Sequence, residues 1–278
     1  MKNLLILRLE EMKRSGVKAL IPFLTAGDPH LAATEKLLAV LAENGADVIE
    51  LGIPFSDPLA DGPVLQLAAG RALVAGTTTS DVFAVVERFR QRFDTPVVLL
   101  IYYNLIYRRG VHQFCQDAAS AGVSGLVVPD LPFEEAGQLD AAAGEAGLVN
   151  MRFLSPTTTD NRMEAICQSA KGFIYCVTVT GVTGKRAAMD PAVEKMLKKA
   201  RAYTDVTLAL GFGISDPKQA AAAAVCADAV IVGSALVAEI AEAKSVDEKC
   251  AVATAFIRSL KEAIEGSGVD AGNKAASG

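Results

Sequence analysis

The residues with most chemistry to offer lie in one stretch, Glu50-Leu-Gly-Ile-Pro-Phe-Ser-Asp-Pro-Leu-Ala-Asp-Gly-Pro-Val64. It opens as an apolar run, residues 47–51, that reads as a short buried strand ending in the carboxylate of Glu50. Gly52, Pro54, Pro58, Gly62 and Pro63 then forbid a continued strand or a regular helix, and the loop they stiffen carries Asp57 and Asp61. A strand-end carboxylate followed by a stiff loop with further carboxylates is a layout for proton transfer to and from a substrate. Taken singly, each acid also has a plainer reading. Glu50 fits a salt-bridged strand end, Asp61 a turn former, and Asp57 the start of an Asp-Pro turn.

A second group of residues suits an anion. Gly211-Phe-Gly-Ile-Ser215 follows an apolar run and opens into a helix at Asp216-Pro217; Gly233-Ser234 follows another and opens into a short helix. Glycine allows close backbone approach, and a helix N-terminus presents free N–H groups, so both loops are candidates for holding a phosphate. Gly181-Val-Thr-Gly184 is placed to close over the same anion. The two histidines, His30 and His112, fall at helix starts, away from strand ends. The five cysteines are scattered with no CxxC pair, so neither a disulfide framework nor a zinc site is expected. The chemistry must run on carboxylates and hydroxyls, without metal.

These residues need a scaffold. Eight apolar runs (19–24, 48–51, 96–101, 125–128, 149–153, 173–178, 206–210 and 229–232) alternate with helical patterns at 31–44, 81–93, 111–121, 134–146, 161–169 and 191–202. The runs are apolar throughout, as in a parallel sheet covered on both faces. Asp160, Asp190 and Asp216 stand where N-caps belong, and Gly45, Gly122 and Gly147 where helices end. Eight strands each followed by a helix close most simply into a single (β/α)8 (TIM) barrel, with an open doubly wound sheet as competitor. An extra helix is expected at 4–14, the barrel over 1–265, and a frayed Gly/Ala/Ser-rich tail at 266–278. The long connections 53–79 and 179–189 both follow strands and should lie over the mouth where barrels carry their active sites.

The composition sets outer limits. At 278 residues, 51% hydrophobic and with a net charge of −5, the chain suits one α/β barrel and offers no basic footprint for nucleic acid. No stretch approaches the roughly 20 apolar residues of a membrane span, and the expected location is the cytoplasm.

Several motifs together resemble the tryptophan synthase alpha subunit family. They are residues 22–29 (Pro-Phe-Leu-Thr-Ala-Gly-Asp-Pro), the string from Glu50 to Gln66, Arg71-Ala-Leu73, Tyr102 with Asn104, Pro129-Asp130-Leu-Pro-Phe-Glu-Glu135, Pro156-Thr-Thr-Thr-Asp160, Gly181-Val-Thr-Gly184 and Gly211-Phe-Gly-Ile-Ser215. The resemblance spans about residues 20–238. It implies a lyase that cleaves indole-3-glycerol phosphate to indole and glyceraldehyde 3-phosphate without cofactor or metal. Glu50 would be the general acid–base and Asp61 its partner. Phe23, Leu100, Tyr102, Val127, Phe153, Tyr175 and Phe212 would line the indole pocket, and Thr183 would meet Asp61 on closure. The amides of Gly184, Gly213, Gly233 and Ser234 would hold the phosphate. Asp57 and Asn104-Leu-Ile-Tyr107 would face a beta subunit in an alpha2-beta2 heterotetramer, with pyridoxal phosphate belonging to that partner. The chain departs from the family's usual Asn-Pro-Ile run at Asn104-Leu105-Ile106, and carries Thr178 where many members have serine. A stand-alone indole-3-glycerol phosphate lyase and a non-catalytic regulatory subunit are the alternatives.

Overall fold

The computed structural model describes residues 3–177, 190–211 and 213–275, with side chains up to 266. Among the described residues nine strands are formed: β1 (Ala19–Thr25), β2 (Ile49–Gly52), β3 (Val97–Leu100), β4 (Gly125–Val127), β5 (Val149–Asn150), β6 (Arg152–Leu154), β7 (Phe173–Val177), β8 (Thr207–Gly211) and β9 (Ala229–Val232). The helices are α1 (Leu4–Arg14), α2 (Leu31–Glu43), α3 (Pro63–Val74), α4 (Thr79–Arg90), α5 (Tyr103–Arg109), α6 (Val111–Ser120), α7 (Gly137–Glu145), α8 (Asp160–Ser169), α9 (Pro191–Arg201), α10 (Pro217–Cys226), α11 (Ser234–Glu242) and α12 (Val246–Ala275). A 3-10 turn spans Phe133–Glu135.

The strands run in the order β5-β4-β3-β2-β1-β9-β8-β7-β6, and the pairings between neighbours are parallel. Only Met151 separates β5 from β6 in the chain, so the row curls into a (β/α)8 barrel whose fifth stave is broken in two. The sequence pattern reads that stave as one strand, 149–153. In the fold its first half bonds only to β4 and its second only to β7.

Successive residues of each strand face opposite ways, and both ways are apolar. Leu20, Ile49, Leu99, Ile174 and Leu210 belong to the outer core against the helices. Ile21, Val48, Val98, Val127, Phe173 and Ile231 fill the interior, and Leu5, Leu9 and Met12 of α1 belong to that inner cluster and plug the strand N-terminal end. The expected extra helix is thus part of the barrel filling. Asp47 anchors this end: its buried carboxylate accepts from Arg8 Nη2 (2.9 Å), Lys261 Nζ (2.7 Å) and the Leu20 amide (2.9 Å).

Local signals act as their chemistry requires. Asp190 and Asp216 cap α9 and α10 by accepting from Ala192 and Gln219 amides. Thr159, not Asp160, is the N-cap of α8, and Asp160 pairs with Lys199 instead. Gly45, Gly122 and Gly147 adopt the positive φ that ends a helix without Cβ strain. The connection 53–79, expected as a loop, contains α3, which starts at Pro63 and buries only Ala68, Ala69 and Ala72. The last helix continues to Ala275, into the stretch expected to fray. Among the described residues, no helix is long and apolar enough to cross a membrane.

Candidate active site

Glu50 pairs in register with Phe23 of β1 and Val98 of β3. Its neighbours Ile49 and Leu51 pack into the outer core, so its own side chain turns inward at the C-terminal mouth. Only 1% of it is exposed. No ion pair reaches it among the described residues, so the plain reading of a salt-bridged strand end does not hold. Its Oε1 has no hydrogen-bond partner there. Burial, reinforced by the nearby Asp61 carboxylate, pushes its pKa up to about 8.

Asp61 sits in a tight turn held by Asp61 N–H donating to Pro58 C=O (3.0 Å) and Leu59 N–H to Asp57 C=O (2.9 Å). Gly62 and Pro63 follow, and α3 begins at once; Gln66 Nε2 donates back to the Asp61 carbonyl at 2.9 Å. Burial raises the Asp61 carboxyl to about 6, while the hydrogen bond from the Tyr102 hydroxyl opposes that rise. The same hydroxyl accepts from the Ala60 amide at 3.0 Å, and the Tyr102 ring stacks on Phe55 with centroids 5.2 Å apart. Near neutral pH one carboxyl is therefore held as the acid and the other as the anion, the division that acid–base catalysis needs. Burial and these acids raise the hydroxyls of Tyr102 and Tyr175, so both remain neutral donors.

Both acids line a cavity of about 530 Å³, together with Phe23, Leu65, Leu100, Phe153, Tyr175 and Ile231. Tyr175 stacks on Phe153 (centroids 5.2 Å apart), and its ring lies against β8, where a Cβ added to Gly211 would come within 2.6 Å of it. Gly52 plays the same part opposite: a Cβ there would stand 2.6 Å from the Phe23 ring. Glycine at these two positions lets aromatic rings form the walls.

Gly213, Gly233 and Ser234 also line the cavity. Gly213 has φ +77, which favours glycine, and α11 starts at Ser234 with no side-chain cap and no acid in its first turn. Its first N–H groups have no side-chain cap, an arrangement that suits an anion.

Of the anticipated site residues, Glu50, Asp61, Phe23, Leu100, Phe153, Tyr175, Gly213, Gly233 and Ser234 converge on this cavity. Two do not line it. Tyr102 hydrogen-bonds Asp61, and Val127 is fully buried in the inner cluster, while its neighbour Val128 reaches the wall. Thr183, Gly184 and Phe212, with Thr178, Lys185 and Arg186, lie outside the described residues. Leu65, Ile231, Phe133 and Arg152 also line the cavity and went unanticipated. Leu65 and Phe133 lie inside the motifs 50–66 and 129–135, and Ile231 is the inward position two before Gly233; Arg152 carried no signal. His30 caps α2 and exposed His112 lies 3.7 Å from Glu145; neither lines the cavity. Among the described residues there is no group of three metal-binding side chains.

Comparison with known proteins decides between readings of this barrel mouth. Residues 9–265 match the tryptophan synthase alpha chain family. The chain belongs to that family. It is 46% identical to the tryptophan synthase alpha chain of Geobacter sulfurreducens over 254 residues, covering 91% of this chain and 96% of that one. It is 49% identical to that of Trichormus variabilis over 259 residues, covering 93% and 97%. Among solved structures it is similar to tryptophan synthase subunit alpha from Legionella pneumophila, with a TM-score of 0.88 at 38% identity, covering 96% of this chain and 100% of that one. It is also similar to a chain of Mycobacterium tuberculosis tryptophan synthase, with a TM-score of 0.86 at 33% identity, covering 95% and 99%. As a member of that family, the chain is a subunit of a lyase of tryptophan biosynthesis.

Proposed function

We infer that this chain cleaves indole-3-glycerol phosphate to indole and glyceraldehyde 3-phosphate by a retro-aldol step. The observation that carries this reading is the pair of carboxyls in one cavity, Glu50 held protonated and Asp61 ionised near neutral pH. In the reaction, protonated Glu50 gives its proton to indole C3. The resulting cation is delocalised over C2 and the ring nitrogen, and the Asp61 carboxylate stabilises it from the N–H side. The Glu50 carboxylate then takes the proton of the adjacent glycerol hydroxyl. The bond from C3 to the hydroxyl-bearing carbon breaks, its electrons restore the neutral indole, and the carbon becomes the aldehyde. Protons balance: Glu50 ends as it began. Gly213, Gly233 and Ser234 supply backbone amides for the substrate phosphate, and Phe23, Leu100, Phe153 and Tyr175 form an apolar slot for the ring.

The indole passes to a beta subunit in an alpha2-beta2 assembly. In support, Leu59 (92% exposed) and Tyr107 (70% exposed) stand beside Asp57 and Asn104 as apolar surface in need of cover. This chain's reaction needs no cofactor, and pyridoxal phosphate belongs to the beta subunit. The site of action is the cytoplasm.

The test is indole release from indole-3-glycerol phosphate by the purified chain, alone and with a tryptophan synthase beta subunit. Slow release that rises steeply on adding the partner is expected, together with loss of release in Glu50→Gln at unimpaired substrate binding. Fast release by the chain alone would make it a stand-alone lyase, and near-normal turnover in Glu50→Gln would remove Glu50 from the reaction.

A further inference from the structure

Among the described residues four charged side chains are buried: Asp47, Glu50, Arg152 and Lys249. Three are accounted for. Asp47 pairs with Arg8 and Lys261, Arg152 pairs with Asp140, and burial keeps the Glu50 carboxyl protonated near neutral pH. Lys249 is different. It is 8% exposed, and the ion pairs of α12 run through Asp247 and Lys261 instead. Its chain neighbour Glu248 is turned to the amides of Lys244 and Ser245, at 2.8 and 3.3 Å.

The Lys249 ammonium donates to two carbonyls, Ile240 C=O at 2.6 Å and Ala243 C=O at 2.8 Å. These lie in the last turn and at the C-cap of α11. Lys249 is the fourth residue of its own helix, α12, where a cation opposes the helix dipole. A buried cation with no carboxylate is also costly. Both costs are offset at the same place, the negative end of α11, whose last turn holds no basic residue of its own. The positive end of that helix is the one already described. Gly233 and Ser234 line the cavity there, with no side-chain cap and no acid in the first turn.

We propose that Lys249 is a positioning residue for the phosphate: by clamping the last turn of α11 it fixes where the helix's first N–H groups stand, and its charge supports their polarity. The proposal rests on the reading of Gly233 and Ser234 as the phosphate end of the cavity. Leu236, Val237 and Ile240 bury one face of α11 and hold it sideways, whereas the clamp acts along its axis. At about 1.5 Å per residue the nine-residue helix is about 14 Å long, so Lys249 does not touch the phosphate and works only through α11.

Glycerol 3-phosphate, titrated calorimetrically into the full chain, is the probe, beside steady-state indole formation. Lys249→Met should weaken glycerol 3-phosphate about fivefold and raise KM for indole-3-glycerol phosphate by a similar factor, with kcat nearly unchanged. Lys249→Arg, which keeps the charge and the donors, should recover most of that affinity. Lys249→Gln keeps a donor but loses the charge; it should also bind the probe more weakly, and it decides if Lys249→Met fails to fold. A folded Met or Gln variant with a lowered melting temperature but unchanged probe affinity would make Lys249 merely structural and overturn the proposal. An effect confined to kcat, or a loss in Lys249→Arg as large as in Lys249→Met, would do the same. Failure of the wild type to bind the probe would instead remove the phosphate reading, and the proposal with it.

Discussion

Replacing Glu50 with glutamine should remove activity and stabilise the protein progressively as the pH rises. In the folded chain the Glu50 pKa is raised from 4.5 to about 8, chiefly by burial. At pH values below both, folded and unfolded chains carry the proton and the group contributes no pH dependence. Between them the unfolded chain releases its proton while the folded chain keeps it, so rising pH favours unfolding. The slope is about 1.4 kcal/mol per pH unit, which accumulates to about 3 kcal/mol by pH 7 and about 4 kcal/mol by pH 8. Glutamine has no proton to lose, and any packing or hydrogen-bond cost it brings is the same at every pH. The diagnostic quantity is thus the slope of the difference between variant and wild type, not its value at one pH. Asp61 is present in both proteins and largely drops out of that difference. Urea denaturation of both from pH 5 to pH 8 should show the variant gaining on the wild type throughout. In melting temperature the gain is roughly 2–4 °C per kcal/mol for a chain of this size. A difference that stays constant across this range would refute the burial argument for Glu50, and with it the claim that the site keeps a protonated acid at neutral pH.

Activity should depend on pH as a bell, rising as Asp61 ionises near 6 and falling as Glu50 ionises near 8. A flat profile across those limbs would contradict the two assignments. Asp61→Asn should cost several orders of magnitude in indole formation, and in the residual activity the alkaline limb should move down because no anion remains to raise Glu50; full activity would remove Asp61 from the mechanism. Gly213→Ala, at φ +77 with open space around the added carbon, should fold with a loss of about 1 kcal/mol but raise KM with little change in kcat. An unchanged KM would separate this loop from the phosphate. Asp47→Ala strips the shared partner from Arg8 and Lys261 and should destabilise by about 3 kcal/mol in denaturant titration; a loss below about 1 kcal/mol would mean that the anchor contributes little.

The barrel could be read from the chain because its strands are covered on both sides and appear as unbroken apolar runs. Gly45, Gly122 and Gly147 marked helix ends because only glycine takes the positive φ of that position at no cost. Helix α3 was hidden for the opposite reason. It docks through the methyls of Ala68, Ala69 and Ala72 and exposes Leu67 and Val74, so it shows no large apolar stripe. Glu50 and Asp61 stood out by their placement between strand end and stiff loop. What separates their protonation states did not, since it rests on burial and on Tyr102, which arrives from the end of the next strand. Arg152 was illegible altogether. A charge between Met151 and Phe153 looks like a strand interruption until Asp140, Asn150 and Phe133 surround it.

The contact between Gly211 and Tyr175 imposes an order on change. A side chain at 211 would stand 2.6 Å from the tyrosine ring and 2.9 Å from its hydroxyl oxygen, so it cannot enter while the ring is there. The three nearest atoms all belong to Tyr175, so shortening residue 175 removes the closest contacts. Any lineage, natural or selected in the laboratory, that reshapes this wall must therefore alter 175 first and 211 second. The reverse path passes through a protein whose cavity wall is forced apart. Phe23 and Gly52 form a matching pair across the mouth, where a Cβ at 52 would stand 2.6 Å from the phenyl ring. The two sides of the pocket thus share one directional rule of descent, and libraries that randomise the glycines alone will return few functional variants.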